Sequence, residues 1–392
     1  RRDIMLKSTI KHKNVEFTEL FYDLVFVYAI SKTTGLIHHL HDGIVGGDAF
    51  LTFLVTLFVL IDAWMLQTVF TNQYGKNSFL NISIMFIKMV ILLVFSGMIV
   101  NDWYDHFDYL CWTICLLSIV LFLQYFVQYY SDETTAAERH SIKGFLAVTG
   151  IRAVGIFTAG MFPLFPGFYI YLATIAVTFW MPINFRRRQE QVEINFVHLV
   201  ERVALLTIIN FGEMIIGIAR FFTPQTFTLK SVLYFVIVAN LFLYYFSAFN
   251  HAVDEHRNTH GIFMLYSHYP IYIGLIMITV AMTFISENAA NVHFVTAFLY
   301  MGLFMFQWAV IANNRYSKPY LRFNRRYLAV QAVILVAGFM TSFNLAHNDA
   351  AVLYVTTVMV AALTVHAIGF LYARNLKERR RLKKSTSGAK TK

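Results

Sequence analysis

The chain has 392 residues, of which 58% are hydrophobic and 14% charged, and its formal net charge is +10. A soluble domain carries about 25% charged residues, so this composition excludes an ordinary water-soluble globule and calls for lipid around much of the surface. A basic excess in a soluble protein would suggest nucleic acid. Here the cations sit in short loops and the tail, so no nucleic-acid partner is expected; they read as topology signals and contacts for anionic lipid.

A spanning helix needs about 20 mostly apolar residues. In chain order such segments are expected at 17–40, 48–70, 79–100, 108–130, 140–162, 167–185, 199–222, 228–251, 262–286, 291–314, 323–345 and 349–373. That makes an all-α, polytopic transmembrane helix bundle of about twelve helices. The fifth and sixth are the hardest to separate, because Pro163, Pro166 and Gly167 leave only a tight turn between them. Cys111 and Cys115 fall one helical turn apart in the fourth segment. Such a pair makes a poor disulfide and a poor metal site, so both are expected to be inert core thiols. The first apolar segment is too long and too acidic for a cleavable signal peptide.

Charge placement sets the topology. With the N-terminus cytoplasmic, the inner segments hold Arg1, Arg2, Lys7, Lys11, Lys13, Lys76, Arg139, Lys143, Arg186, Arg187, Arg188 and Arg257, then the clusters at 315–326 and 374–392. The outer side receives Lys32, Arg220 and Lys230, and Lys88, Arg152 and Arg202 fall within spans. Both termini are therefore expected to be cytoplasmic.

A duplication is also visible at a constant offset. Glu19, Leu24, Phe26 and Val27 align with Glu201, Leu206, Ile208 and Ile209, and Phe145–Val148 aligns with Tyr327–Val330. Six helices per half would relate the halves by an axis along the membrane normal, as in parallel-repeat transporters. The expected organisation is a cytoplasmic N-terminal segment (1–16), a first six-helix repeat (17–185), a cytoplasmic linker (186–198), a second repeat (199–373) and a basic cytoplasmic tail (374–392).

Ionisable groups within a bilayer are costly and point to function. Glu19, Asp23, Asp62, Glu201 and Glu213 outnumber the charge partners Lys88, Arg152 and Arg202. An unpaired buried acid takes up a proton or binds a cation. These five acids and His268 are accordingly the candidates for ion coupling or substrate binding. Glu19 and Asp23 are four apart and share one helix face. The bland alternative pairs Asp23 with Lys88 or Arg152. Asn210, Gly212 and Gly217 thin the helix around Glu213, and Pro270 follows His268-Tyr269 inside the ninth span. A proline there frees a carbonyl and kinks the helix, beside a cavity or simply within packed helices. His366 is a second histidine inside a span.

The sequence holds no Walker loop, dinucleotide fingerprint, His-Glu-x-x-His or nucleophile elbow, and no cofactor is expected. His38, His39, His41 and Asp42 form a loop cluster that could meet a metal at the outer surface, although clustered loop histidines more often do not; no metal site is expected. Trp103, Tyr104, Tyr129 and Tyr130 lie at span ends, as interfacial anchors do.

The run Glu19-Leu20-Phe21-Tyr22-Asp23-Leu24-Val25-Phe26-Val27-Tyr28-Ala29-Ile30 resembles the opening signature of the bacterial low-temperature-requirement A (LtrA) family. His198-Leu199-Val200-Glu201-Arg202, leading through Thr207-Ile208-Ile209 to Gly212-Glu213, is similar to a second family motif, and His268-Tyr269-Pro270 to a third. After Glu-Arg the family often has His-Gly, where this chain has Val203-Ala204. The resemblance covers most of the chain and implies a polytopic membrane protein of bacterial origin. Phe21-Tyr22-Asp23 also resembles the Phe-Ser-Asp signature of the lysosomal potassium channel family and its bacterial relatives, with Tyr22 in place of the Ser.

Four functions follow. The first is an ion-coupled secondary transporter of a small substrate or cation, using the intramembrane carboxylates. The second is a cation channel lined by the first helix. The third is a membrane-embedded enzyme acting on a lipid or lipid-linked substrate, with Glu19, Glu201, Arg202 and His198 as its acid–base set; the fourth is a non-transporting scaffold. The surplus of acids and the repeat favour the transporter, and the lack of a catalytic motif weighs against the enzyme. A homodimer is the default expectation for an oligomer.

Overall fold

Hydrocarbon offers no water to backbone N–H and C=O groups, so a crossing segment must satisfy them internally, and a helix does so. The computed structural model describes residues 13–100, 103–184, 194–257, 259–287 and 290–389, and there the apolar segments form twelve α-helices. They are α1 (Phe17–Leu36), α2 (Gly47–Tyr74), α3 (Phe79–Gly97), α4 (Phe107–Tyr129), α5 (Ala136–Gly160) and α6 (Leu164–Asn184). The series continues with α7 (Phe196–Ala219), α8 (Leu229–Phe246), α9 (Ile262–Glu287), α10 (Val292–Ala312), α11 (Arg325–Asn344) and α12 (Asp349–Ala389). Helix starts carry the side chains that accept from otherwise unpaired N–H groups. Asn324 accepts from the Tyr327 amide at 2.8 Å, and Thr135 forms a reciprocal capping box with Glu138. The box starts α5, and the turn at 161–163, which contains Pro163, separates α5 from α6.

Eleven of the twelve helices are long and apolar enough to cross a membrane; α1 is the exception, because it carries Glu19, Asp23 and Lys32 in its twenty residues. It also ends at Leu36, four residues short of the expected 40. The chain turns there into a hairpin that pairs Leu40–His41 with Ile44–Val45. Asp42 and Gly43 form its two-residue loop at φ 51° and 78°, the positive-φ pair that such hairpins require. Asp42 is thus a turn residue, and the described residues contain no group of three His, Cys, Asp or Glu side chains able to hold a metal. α12 runs on through the basic stretch to Ala389. Arg1, Arg2, Lys7, Lys11, Asn101, Asp102 and Arg186–Arg188 lie outside the described residues, as do the side chains of Trp103 and Tyr104.

The burial pattern inverts that of a soluble helix. On α1 the buried face holds Glu19, Tyr22, Asp23 and Phe26, while Phe21, Leu24 and Tyr28 are exposed. On α3 Lys88 is 2% exposed and the adjacent Ile87 51%. Polar groups turned inward and large apolar ones outward is the arrangement lipid selects.

The chain forms two units. The first comprises residues 1–36, 55–206 and 255–262. Within it α4 packs on α5, α5 on α6, α3 on α4 and α1 on α3. Phe70, Tyr74, Tyr125 and Phe145 form an aromatic core there, with Tyr125 and Phe145 stacked at 5.0 Å. Cys111 and Cys115 are free and buried.

The second unit comprises residues 37–54, 207–254 and 263–392, with α8 on α12, α12 on α11 and α11 on α10. Its most buried element is α9, which continues through Pro270 without a break. Where α9 meets α10 both carry glycine: a Cβ on Gly274 would lie 2.6 Å from the Gly302 carbonyl, and one on Gly302 2.9 Å from the Gly274 carbonyl. This is the small-residue contact that lets membrane helices approach closely.

Candidate functional site

The site begins with Asn195. Its side chain caps α7 by accepting from the His198 amide at 3.1 Å. Its own backbone is held by Asn72 on α2: the Asn195 N–H donates to Asn72 Oδ1 (3.0 Å), and Asn72 Nδ2 donates to the Asn195 carbonyl (2.9 Å). These two bonds fix which end of the Asn72 amide is the donor. Asn72 Nδ2 also lies 3.1 Å from His198 Nδ1, so Nδ1 accepts and the imidazole proton sits on Nε2. His198 Nε2 is 3.3 Å from Glu19 Oε2. His198 thus turns Nε2 toward the Glu19 carboxylate.

One turn further along α7, Arg202 bridges the two carboxylates of α1. Its Nε is 3.4 Å from Glu19 Oε2, and its Nη2 donates to Asp23 Oδ1 at 2.9 Å. Asp23 Oδ1 also accepts from Trp64 Nε1 at 2.7 Å, and the guanidinium lies over the Trp64 ring. Glu19, Asp23, Trp64, His198 and Arg202 are all buried, none above 3% exposed. Among the described residues, Glu19 Oε2, Asp23 Oδ2, His198 Nε2 and Arg202 Nε and Nη1 have no hydrogen-bond partner that meets full geometry. The cluster sets two carboxylates against one guanidinium.

The rim supplies a nearby cation. Lys13 donates to the carbonyls of Thr71 and Gly75 (2.8 Å to the latter), at the C-terminal end of α2 where a cation is favoured. Burial pushes its ammonium below the ordinary value, against the opposing pull of Glu19 and Glu16. A cleft of about 20 Å³ is lined by exposed Lys76 and Asn77 and by buried Glu19 and Gln124.

The other charged groups of the first unit separate from this cluster. Asp62 pairs with Arg152, whose Nη2 also donates to Thr178 Oγ1 at 2.9 Å. Lys88 donates to the amide oxygens of Gln67 and Gln124, the latter at 2.7 Å. Asp23 therefore pairs with Arg202, and not with Lys88 or Arg152. The separation of α1 and α7 along the chain hides this contact from a reading of neighbouring segments. Glu201 is exposed; adjacent residues on a helix point about 100° apart, so burying Arg202 turns Glu201 away. The acid–base set read from the sequence therefore keeps Glu19, His198 and Arg202 and loses Glu201.

Glu213 and His268 belong to the second unit. Glu213 is half-buried. His268 is fully buried, with Nδ1 2.6 Å from the Met264 carbonyl and Nε2 3.0 Å from the Tyr245 hydroxyl. The carbonyl can only accept, so Nδ1 carries the proton and Tyr245 donates to Nε2. His366 meets Gln331 at 3.1 Å and stacks on Tyr327. Sequence reading missed Trp64, Asn72, Asn195, Gln67 and Gln124. The run Gln67-Thr68 and Thr71-Asn72-Gln73, a polar stripe inside an otherwise apolar span, was the available signal.

Apolar helices with a buried ionic centre define a multi-pass membrane protein. The sequence profile of the bacterial low temperature requirement A protein (LtrA) family matches residues 14–367, and the chain belongs to that family. No curated protein matches it.

Proposed function

We propose that this protein is an ion-coupled secondary transporter of the bacterial plasma membrane, in which the Glu19–Asp23–Arg202–His198 cluster binds and releases a proton or small cation. The observation that carries this reading is the sharing of one guanidinium by two buried carboxylates, with His198 Nε2 3.3 Å from Glu19. Protonating Glu19 removes the charge that holds it to Arg202 and leaves Arg202 to Asp23 alone. The cleft that Glu16, Lys76 and Asn77 line together with Glu19 supports access of an ion to that carboxylate. Glu213, His268 and Asp62 are the remaining candidates for substrate contact. The duplication supports a parallel-repeat transporter, and the skew of Lys and Arg supports two cytoplasmic termini with anionic lipid at that face.

The test uses proteoliposomes with a trapped pH dye under imposed proton, sodium or potassium gradients. Gradient-driven ion movement in the wild type that is lost in Asp23→Asn is expected. Movement equal in both proteins contradicts the role of the cluster, and a conductance needing no coupled substrate turns the reading toward a channel.

A further inference from the structure

A second cavity lies in the first unit, and neither Glu19 nor Asp23 is in its lining. Lys88, Arg152, Tyr22, Ser118 and Thr149 line it together with apolar side chains, and no carboxylate does. Its volume is about 30 Å³, against the roughly 10–15 Å³ that one water needs.

The charges around it do not cancel. Arg152 is neutralised by Asp62, which is not part of the lining. Lys88 is 2% exposed and, among the described residues, meets two amide oxygens, of Gln67 and Gln124. An ammonium has three N–H donors, so one remains beyond these two acceptors. A buried charge without a counter-charge is expensive. Ser118 and Thr149 already donate their hydroxyl protons to the Ile114 and Phe145 carbonyls, at 2.9 and 2.8 Å. Any occupant must therefore take its stabilisation mainly from the cationic groups.

From this the structure assigns a binding site for one small monovalent anion of halide size between Lys88 and Arg152. The anion supplies the counter-charge that Lys88 lacks. The apolar remainder of the lining favours a weakly hydrated ion, and the volume excludes phosphate headgroups and carboxylate metabolites. The site is separate from the Glu19 cluster and stands whether or not that cluster moves ions.

The experiment uses the full chain purified in detergent, in sodium chloride or sodium gluconate at matched ionic strength. Thermal unfolding and ³⁵Cl NMR linewidth are read in parallel. A Tm that rises and saturates with chloride, and a ³⁵Cl line that broadens and is competed by bromide, are expected. Lys88→Met should abolish both effects. Ala63→Leu, which fills the cavity and leaves Lys88 in place, should abolish them too, and it serves if Lys88→Met does not fold. A wild-type Tm and linewidth indifferent to chloride would overturn the assignment. Retention of the chloride effects in folded Lys88→Met or Ala63→Leu would overturn it as well, by placing the binding elsewhere.

Discussion

The ionic groups of the first unit differ in what holds them, and single substitutions separate them. Asp62 and Arg152 form a buried pair, so Asp62→Leu leaves a buried guanidinium and should cost about 3–5 kcal/mol. A thermal melt monitored by a thiol-reactive dye reads this directly, because Cys111 and Cys115 are buried until unfolding. The double variant Asp62→Leu with Arg152→Leu should recover much of the loss. Asn72 acts through geometry alone. Asn72→Ala removes the partner of both Asn195 backbone groups and the donor that fixes the His198 tautomer, at about 1–3 kcal/mol for polar atoms left unpaired. Glu201→Gln should change neither stability nor transport, since its side chain is exposed.

Glu19 and Asp23 were legible as a shared helix face from their spacing. Their partner was not, because the α1–α7 contact is made by tertiary packing alone. Trp64 was hidden because an aromatic inside an apolar span looks like core.

At the scale of elements, the α9–α10 crossing and the α1–α2 hairpin make separate demands. Gly274→Leu or Gly302→Leu should separate the helices and lower the melting temperature sharply, while Gly212→Ala, where a Cβ meets nothing within 4 Å, should be tolerated. His38, just beyond α1, has its imidazole held below the ordinary value by burial first and by Arg220 second. Its folded pKa is depressed, so its contribution to stability is complete above about pH 6.5 and is lost as pH falls through the folded value. His38→Gln should flatten the acid limb of a Tm–pH profile; an unchanged limb would show that His38 does not drive it. The helices themselves were readable from apolar length, and several of their starts carry Ser, Thr or Asn caps. The hairpin went unread, although Asp42-Gly43 is the dipeptide that such a loop favours.

At the scale of the whole molecule, α1 decides the topology. Eleven crossings would put the termini on opposite sides of the membrane, and α1 as a twelfth puts them on the same side. Its buried acids and exposed Phe21, Leu24 and Tyr28 suit a helix with lipid on one face and an ionic centre on the other. A green fluorescent protein fused after Ala389 should fluoresce, and an N-terminal tag should resist protease added to intact cells. Accessibility of either end from outside would remove α1 from the set of crossings.

The central claim is that the Glu19–Asp23–Arg202–His198 cluster exchanges an ion. Its most direct test is the current on a solid-supported membrane under a proton or sodium gradient, compared among wild type, Glu19→Gln and Glu201→Gln. The account predicts a current in wild type and Glu201→Gln that disappears in Glu19→Gln. A current that survives in Glu19→Gln, or one lost equally in Glu201→Gln, would contradict it.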